Sequence, residues 1–505
     1  MPRGMLHGSQ VKRAHQALGD ANAYQQRRRS KLSRSAAKKL SLFFNQVTID
    51  QGEPRPHQDS SRRHYIYKVP DHFHKSSEQS YTPQVISIGP LHHGNKKLQK
   101  MENYKATYWK DFQQRARLTD GMILERIVKE IEEKVPACYE ENRPNSDKPF
   151  AQIILHDATF IIEYFLRCRF PELQTDKDRA AITPWRAARM RLDFLLLENQ
   201  LPFFIIEELY KLLLGVDEAD RSRLPSFIDL IFDYFQGFNT QNHEKPGPNS
   251  DFRINHFVDL LRRFYLPPPN SPFSKKLKRP DNHDPVEGNC ISQLARSKSG
   301  NHDPVEGNCI SQLARSKSGN NDPVEEMYCT SQLAEAGMTF KKSESGRCLL
   351  ELNFENGILE IPGFILNKDT ELCARNLMAW EQLHYPTNEE YITDYFRLLD
   401  FLIDTDKDVG LLRRKKILVN RLGDKCATIV NNLCSNNVAD TPSTLYYRKL
   451  CQDLGHFYNN PWNSWKIKLR RDLSTPWVIV TTVSAIFLLV LTLVQTVCSV
   501  ISTVK

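Results

Sequence analysis

Residues 192–209 read LDFLLLENQLPFFIIEEL, two apolar runs on either side of the polar triplet Glu198, Asn199 and Gln200. Pro202 follows the triplet almost at once. Proline suits the first turn of a helix, and it disfavours α geometry in the residue before it. The pattern therefore predicts one helix that ends near Glu198, a tight corner, and a second helix that begins at Pro202.

The apolar density around this corner places it in the predicted core. A buried amide or carboxylate without a partner costs roughly 1 to 3 kcal/mol, so the triplet is expected to form a hydrogen-bonded knot. A second polar site, Arg375, Glu381 and Gln382 within RNLMAWEQ, echoes it. We predict that the two sites lie close and satisfy one another in a structural role. A catalytic Glu198 is the alternative.

Composition and charge indicate a globular protein with a basic extension. The chain has 505 residues, 40% of them hydrophobic, and a net charge of +9, of which residues 1–60 carry +7. The remainder is nearly neutral, which argues against nucleic-acid binding by the folded part. Eleven cysteines without a C-x-x-C pair favour reduced thiols over a disulfide framework or a zinc site. No cofactor is predicted.

Five segments follow from these patterns. They are a basic disordered extension (1–60), a first helical part (61–266), a flexible linker (267–336), a second part with a β-hairpin and helices (337–472), and an apolar helix (473–503). For the extension, a nuclear-import or nucleic-acid patch and an organellar transit peptide are alternatives to a solvated tail.

The linker contains a tandem repeat of nineteen residues. Asn282 to Gly300 reads NHDPVEGNCISQLARSKSG, residues 301–319 repeat it without change, and a decayed third copy runs from Asn320 to Gly337. Each copy has about two large apolar side chains, too few to stack into a solenoid. The repeats are therefore predicted to form an inserted loop.

Beyond the linker, Asn356-Gly357 separates two alternating runs, the strongest short-range signal for a β-hairpin. Helical periodicity resumes at residues 371–383, 391–403 and 411–422. The predicted fold class is mainly α: a helical globular domain with a small β-hairpin element and one C-terminal transmembrane helix.

Five side chains are candidates for an unrecognised catalytic site: His92, His93, His156, Asp157 and Glu198. Histidine beside a carboxylate can act in acid–base catalysis or hold a metal. No Gly-rich phosphate loop, nucleophile elbow or complete metal-ligand spacing accompanies them. Hydrogen-bonded core or capping histidines are the favoured reading, and no metal site is predicted.

Several motifs in a fixed order carry a resemblance to a known family. They are YTPQVISIGPLHHG (81–94), DFLLLENQLPFF (193–204), AEAGMTF (334–340), LNFENGILEIP (352–362), RNLMAWEQ (375–382) and YITDYF (391–396). Together with a terminal apolar span, this order resembles the plant-specific family called domain of unknown function 247. The resemblance implies a mainly helical, single-pass membrane protein without an established reaction. Some members are implicated in grass self-incompatibility, which implies recognition or signalling.

The C-terminal segment is the predicted membrane span. No charged side chain occurs from Leu473 to Val504, and 24 apolar-rich residues from Trp477 extend roughly 36 Å as a helix, enough for a hydrocarbon core of about 30 Å. The central span residues are Phe487, Leu488, Leu489, Val490 and Leu491. The predicted cytosolic-side anchors are Trp465, Lys466, Lys468, Arg470 and Arg471, which by the positive-inside rule leave the large N-terminal part in the cytosol.

Two functions from different classes remain open at this point. The first is a tail-anchored recognition or signalling protein that binds a protein partner at the cytosolic face of a bilayer, with the plasma membrane as the expected location. The second is a membrane-associated enzyme that uses the five candidate residues around Glu198.

Overall fold

The computed structural model describes residues 64–118, 121–141, 149–214, 224–247, 252–277, 327–344, 348–434, 446–463 and 476–504. The chain divides into two compact units. The first unit comprises residues 1–268 and 366–393, and the second comprises residues 269–365 and 394–505. A segment late in the sequence therefore completes the first unit.

The first unit is helical and is built around one long buried helix. Its helices are α1 Asp71–Ser76, α2 Gln99–Arg115, α3 Gly121–Lys134, α4 Phe150–Arg169, α5 Asp176–Ala181, α6 Pro184–Asp193, α7 Phe203–Leu214, α8 Phe227–Tyr234, α9 Phe257–Tyr265 and, from the later segment, α12 Lys368–His384. Helix α4 packs against α2, α3, α7 and α8, and α12 packs against α9 and α6. Almost every side chain of α4 between Ala151 and Arg167 is buried, so this helix is the centre of the core.

The corner after α6 differs from its prediction in one respect. Helix α6 ends at Asp193 and not near Glu198. The carbonyls that a continuing helix would use are taken by side chains of the corner itself: Asn199 Nδ2 donates to Asp193 O, and Gln200 Nε2 donates to Phe194 O and Leu196 O. The residues from 194 to 202 therefore form a compact turn that leads into α7.

The second unit combines short helices with two small sheets. Its helices are α10 Pro272–Leu277, α11 Thr330–Glu335, most of α13 Tyr391–Leu402, α14 Asp406–Arg414, α15 Cys426–Cys434, α16 Arg448–Asn459 and α17 Pro476–Val504. Its strands are β1 Thr339–Lys342, β2 Asn353–Glu355, β3 Ile358–Ile361, most of β4 Phe364–Leu366, and β5 Leu418–Asn420. Strand β3 lies between β1 and β2, and β4 pairs with β5.

The hairpin predicted at Asn356-Gly357 is present. Strands β2 and β3 pair antiparallel, and both turn residues have positive φ, 51° and 77°, as a two-residue hairpin turn requires. Strand β1 adds to the outer side of β3 in parallel, with Thr339 opposite Ile358. A parallel partner from outside the hairpin leaves no short-range signal in the sequence.

The helix predicted over residues 411–422 is shorter in the structure. Helix α14 ends at Arg414 and is followed by β5. Its end is a Schellman motif: Ile417 N–H donates to Leu412 O, Lys416 N–H donates to Arg413 O, and Lys416 has a φ of 58°. Lysine instead of glycine occupies the left-handed position, so the usual sequence signal for this helix end is absent.

The structure contradicts the predicted membrane span. In the described ranges, no helix is both long and apolar enough to cross a bilayer. Helix α17, Pro476–Val504, covers most of the predicted segment. The C-terminal transmembrane helix in the fold class and the single-pass plasma-membrane localisation are therefore wrong on this finding.

Several predictions concern residues that lie outside the described ranges. These are the basic extension (1–60), the first two repeat copies, the proposed anchors Trp465, Lys466, Lys468, Arg470 and Arg471, and the side chain of Trp477. The predicted span residues Phe487, Leu488, Leu489, Val490 and Leu491 are described, and their side chains are exposed on α17.

Candidate functional site

The Glu198 carboxylate connects the corner to two segments earlier in the chain. Its side chain is buried, and it accepts the Val69 N–H at 2.8 Å and lies 2.9 Å from His74 Nε2. The other carboxylate oxygen lies 2.9 Å from His92 Nε2. Glu198 therefore joins the start of α1 to the loop before α2.

Burial alone raises the pKa of Glu198, but the hydrogen bonds and positive charge of His74 and His92 outweigh it and lower the pKa from 4.5 to about 2. The hydrogen bond to Glu198 raises the pKa of His74 above its ordinary 6.5 despite partial burial. The carboxylate is thus ionised at any physiological pH, and its environment favours a protonated His74.

Asn199 and Gln200 are buried and use their amides to hold backbone groups. Asn199 Oδ1 accepts the Ile88 N–H at 2.6 Å, and its Nδ2 donates to Ile86 O at 3.1 Å. Gln200 Oε1 accepts the N–H of Phe257, the first residue of α9, at 3.0 Å. Both side chains therefore also connect the corner by hydrogen bonds to segments distant in sequence.

Asp193, the last residue of α6, was not among the residues that the sequence singled out. Its buried carboxylate accepts three consecutive backbone N–H groups, from Gln84 at 3.0 Å, Val85 at 2.7 Å and Ile86 at 2.9 Å. Burial raises the pKa of Asp193, and these backbone hydrogen bonds oppose the rise. Together with Asn199, it fixes the strap formed by residues 84–89.

A second cluster lies at the far end of the same strap. Lys105 on α2 is fully buried, and its Nζ contacts Ser87 O at 2.6 Å, Glu102 Oε1 at 2.5 Å and Asp157 Oδ1 at 2.6 Å. The other oxygen of Asp157 accepts the Gly89 N–H at 2.8 Å. One buried cation is thus shared by two carboxylates and a carbonyl.

The titration of this cluster is perturbed. Burial raises the pKa of Asp157 to about 7, partly offset by the Lys105 charge. Burial lowers the pKa of Lys105, but the charges of Asp157 and Glu102 outweigh it and raise the pKa overall. For Glu102, burial raises the pKa, and the charge and hydrogen bond of Lys105 outweigh it, so the net shift is downward.

Gly89 brings the two clusters together. Its φ is +75°, and a Cβ at this position would lie 2.6 Å from Gln200 O. The Tyr139 hydroxyl donates to the same carbonyl at 2.9 Å. A glycine is required here both for the left-handed conformation and for the close approach to the corner.

The second predicted polar site lies on α12 and at its end. Arg375 Nε donates to Glu371 at 3.1 Å, and its Nη1 donates to Ser76 Oγ at 3.3 Å. Glu381 is fully buried and accepts from Arg262 Nε at 2.9 Å and from the Thr393 N–H at 2.8 Å. Gln382 is half-buried.

Asn376, next to Arg375, bonds directly to the corner: its Oδ1 accepts the Leu197 N–H at 2.8 Å, and its Nδ2 donates to Ser80 O. The mutual satisfaction predicted between the corner triplet and the second site, Arg375, Glu381 and Gln382, stays a prediction.

Four of the five candidate catalytic residues belong to these two clusters. His92 and Glu198 meet in the first. His93 is buried with its Nδ1 3.5 Å from Glu102 in the second, which also contains Asp157. His156 is half-buried, with its ring centre 6.0 Å from that of Trp109.

A cleft of about 380 Å³ in the first unit is lined instead by Tyr104, Thr107, Asp111 and residues 175–178. Among the described residues, no group of three or more His, Cys, Asp or Glu side chains is arranged to hold a metal ion.

Sequence reasoning missed Asp193, Lys105, Asn376 and Arg262, and it did not connect His74 with Glu198. A signal existed for Lys105, which lies on the apolar face of α2 with Met101, Tyr108 and Phe112 at helical spacing. A lysine within such a face needs a buried anion. For the other four, the partners are backbone groups or charges distant in sequence.

Comparison of the sequence with known proteins finds a family and two relatives. The family described as a plant protein of unknown function matches residues 66–491. A UPF0481 protein of Arabidopsis thaliana is 25% identical over 480 residues, covering 92% of each chain. A putative UPF0481 protein of the same plant is 24% identical over 480 residues, covering 85% of this chain and 89% of its own. No solved structure matches the chain.

Proposed function

Because the chain belongs to the plant family of proteins of unknown function called domain of unknown function 247, in which no activity is assigned, we propose that it acts by binding another protein. In this proposal the two polar clusters are structural. They keep the first unit rigid so that its surface presents a fixed shape to the partner.

The observation that supports this role is the saturation of the candidate catalytic groups. Both oxygens of Glu198 and both of Asp157 are engaged by the protein itself, and the ammonium of Lys105 contacts three acceptors. A general acid or base must instead reach a proton of the substrate. Because these side chains bind residues of the same unit, they are better suited to stabilising its structure than to catalysis.

Helix α6 offers a surface for the partner. Trp185 in its first turn is 64% exposed, and the same short helix carries Arg186, Arg189 and Arg191. Tryptophan and arginine are the residues that most often dominate the binding energy of protein interfaces. The positive charge of the three arginines favours a partner with an acidic surface.

Proximity labelling in intact plant cells, with the labelling enzyme fused to the full-length chain, tests this proposal. Trp185→Ala should remove a defined set of labelled proteins. The matched control is Trp462→Ala, since Trp462 is equally exposed at 65% but belongs to the second unit. If both variants label the same proteins as the unchanged chain, α6 is not the recognition surface.

The enzyme alternative has one observation in its favour: a pKa of about 7 for Asp157 beside a buried lysine, since strongly perturbed groups concentrate at functional sites. It requires that solvent and substrate reach the cluster. Reaction of the native protein with an amine-specific reagent distinguishes the two. We expect Lys105 to react far more slowly than the exposed Lys110 on the same helix, whereas comparable rates would favour catalysis.

A further inference from the structure

The third copy of the repeat is docked in the second unit. Its residues Thr330–Glu335 form α11, and the Cys329 N–H donates to Gln332 Oε1 at 2.9 Å to close the first turn. Leu333 is fully buried. The helix packs against α14 and α16.

Two further hydrogen bonds fix α11 in place. The Thr330 hydroxyl donates to Leu402 O at 2.6 Å, and the Ser331 N–H donates to Asp408 Oδ1 at 2.6 Å. The acceptor of the second bond is itself well ordered, because Asp408 also closes the capping box of α14 with Thr405. The docking site therefore holds a helical turn by a hydroxyl at its first position, a backbone N–H at its second and a buried leucine at its fourth.

The first two copies carry the same recognition sequence. Residues 290–295 and 309–314 both read CISQLA, and residues 329–334 read CTSQLA. The serine, whose N–H binds Asp408, the glutamine, which caps the turn, and the buried leucine are present in all three. Only the threonine, whose hydroxyl binds Leu402 O, is replaced, by isoleucine.

We propose that the second copy, residues 309–315, competes with the third for this docking site. The chain then has two alternative arrangements, called registers here, in which either the third or the second copy occupies the site. In the minor register the second copy occupies the site on α14 and α16, and the third copy is released into the loop before β1.

Four differences explain why the third copy is preferred. The isoleucine cannot donate to Leu402 O. Tyr328, which stacks on Tyr458 at 3.7 Å, is asparagine in the second copy. Gly337, with a φ of 106°, is lysine there, and Glu335, 2.6 Å from Lys407, is arginine. The lost buried hydrogen bond alone weakens docking by roughly 10- to 100-fold.

Chain connectivity adds little to this preference. Docking of the second copy lengthens the connection to β1 by one repeat, and the entropy of loop closure rises only with the logarithm of loop length. Both copies also belong to the same chain as the site, so their effective concentrations are similar. The register equilibrium is thus set by the side chains of the two copies.

Four full-length forms test the proposal in urea unfolding: the unchanged chain, Leu333→Asp, the double variant Leu294→Asp with Leu313→Asp, and the combination of all three. The double variant should match the unchanged chain. Leu333→Asp should raise the unfolding equilibrium constant roughly 10- to 100-fold because the second copy replaces the third. The combination should raise it roughly 1,000-fold or more, since no leucine is left to dock. Equal constants for Leu333→Asp and the combination would overturn the proposal.

Hydrogen exchange gives a second measurement that does not require a folded Leu333 variant. In Thr330→Ile, which copies the isoleucine of the repeats, residues 328–335 should lose protection while the CISQLAR peptides gain it. Thr330→Ser keeps the hydroxyl and is the matched control, with no expected change. Loss of protection at 328–335 without a gain in the CISQLAR peptides would also overturn the proposal.

Discussion

Replacing Glu198 by glutamine tests whether the first polar cluster holds the first unit together. The change keeps the shape of the side chain and an acceptor for the Val69 N–H, but it removes the charge that faces His74 and His92. The fall in the pKa of Glu198 from 4.5 to about 2 corresponds to roughly 3 kcal/mol, at about 1.4 kcal/mol per pKa unit. We therefore expect Glu198→Gln to lower the free energy of unfolding by about 2 to 3 kcal/mol near pH 5.5.

The pH dependence of this loss has a definite sign. Because the folded-state pKa of Glu198 is depressed, its contribution is fully present above pH 4.5 and is lost as the pH falls toward 2. The folded-state pKa of His74 is raised, so the same interaction is fully present below pH 6.5 and declines as the pH rises through that higher pKa. The loss should be greatest between pH 4.5 and 6.5 and should decrease as the pH rises through the raised pKa of His74, because the imidazole then loses its charge.

Urea unfolding of the purified chain at pH 5.5 and pH 8.5 measures the loss at each pH. The control is Glu132→Gln on α3, an exposed glutamate for which a change within about 0.5 kcal/mol is expected. A loss for Glu198→Gln that is no larger than the control at pH 5.5, or one that grows toward pH 8.5, would refute this reasoning.

Three further changes probe the same unit by thermal or urea unfolding. Gly89→Ala should destabilise it by at least 1 kcal/mol, because the φ of +75° and the close corner carbonyl both exclude a Cβ; Gly121→Ala, where a Cβ meets nothing within 4 Å, should be neutral or stabilising. Lys105→Met should lower the free energy of unfolding by about 3 to 5 kcal/mol, because two buried carboxylates lose their cation. Its control, Lys110→Met at an exposed site, should lower it by less than about 0.5 kcal/mol. Asn376→Ala should cost about 2 kcal/mol, since three buried backbone groups lose their partner, and a loss below 0.5 kcal/mol would contradict the role of α12 in holding the corner.

Local signals in the sequence predicted the local features of the fold. The spacing around Glu198, Asn199 and Gln200 predicted a corner whose polar groups need partners, because burying an unpaired amide is costly in any fold. Asn356-Gly357 indicated the hairpin because few other dipeptides tolerate two positive φ angles.

The rest depended on contacts that composition and periodicity do not encode. The partners of Glu198 lie more than a hundred residues away at Val69, His74 and His92, and the local pattern does not show that His74 joins His92 on this carboxylate. The early end of α6 follows from side chains that capture its carbonyls from beyond the helix. The membrane prediction rested on the uncharged, apolar composition of residues 473–504 and on the aromatic and basic residues that precede them, but among the described residues no helix is long and apolar enough to cross a bilayer.

The first unit is built from two separate stretches of the chain, residues 1–268 and 366–393, and this has a consequence during synthesis. The Asn376 side chain binds the Leu197 N–H in the folded protein. Residues 269–365 belong to the other unit, and all of them leave the ribosome before Asn376 does. At about 5 to 20 residues per second, the nascent chain waits roughly 5 to 20 s with its corner incomplete. Expansion of the tandem repeats lengthens that wait, so each added copy prolongs the period in which the buried surface of the unfinished unit stays exposed.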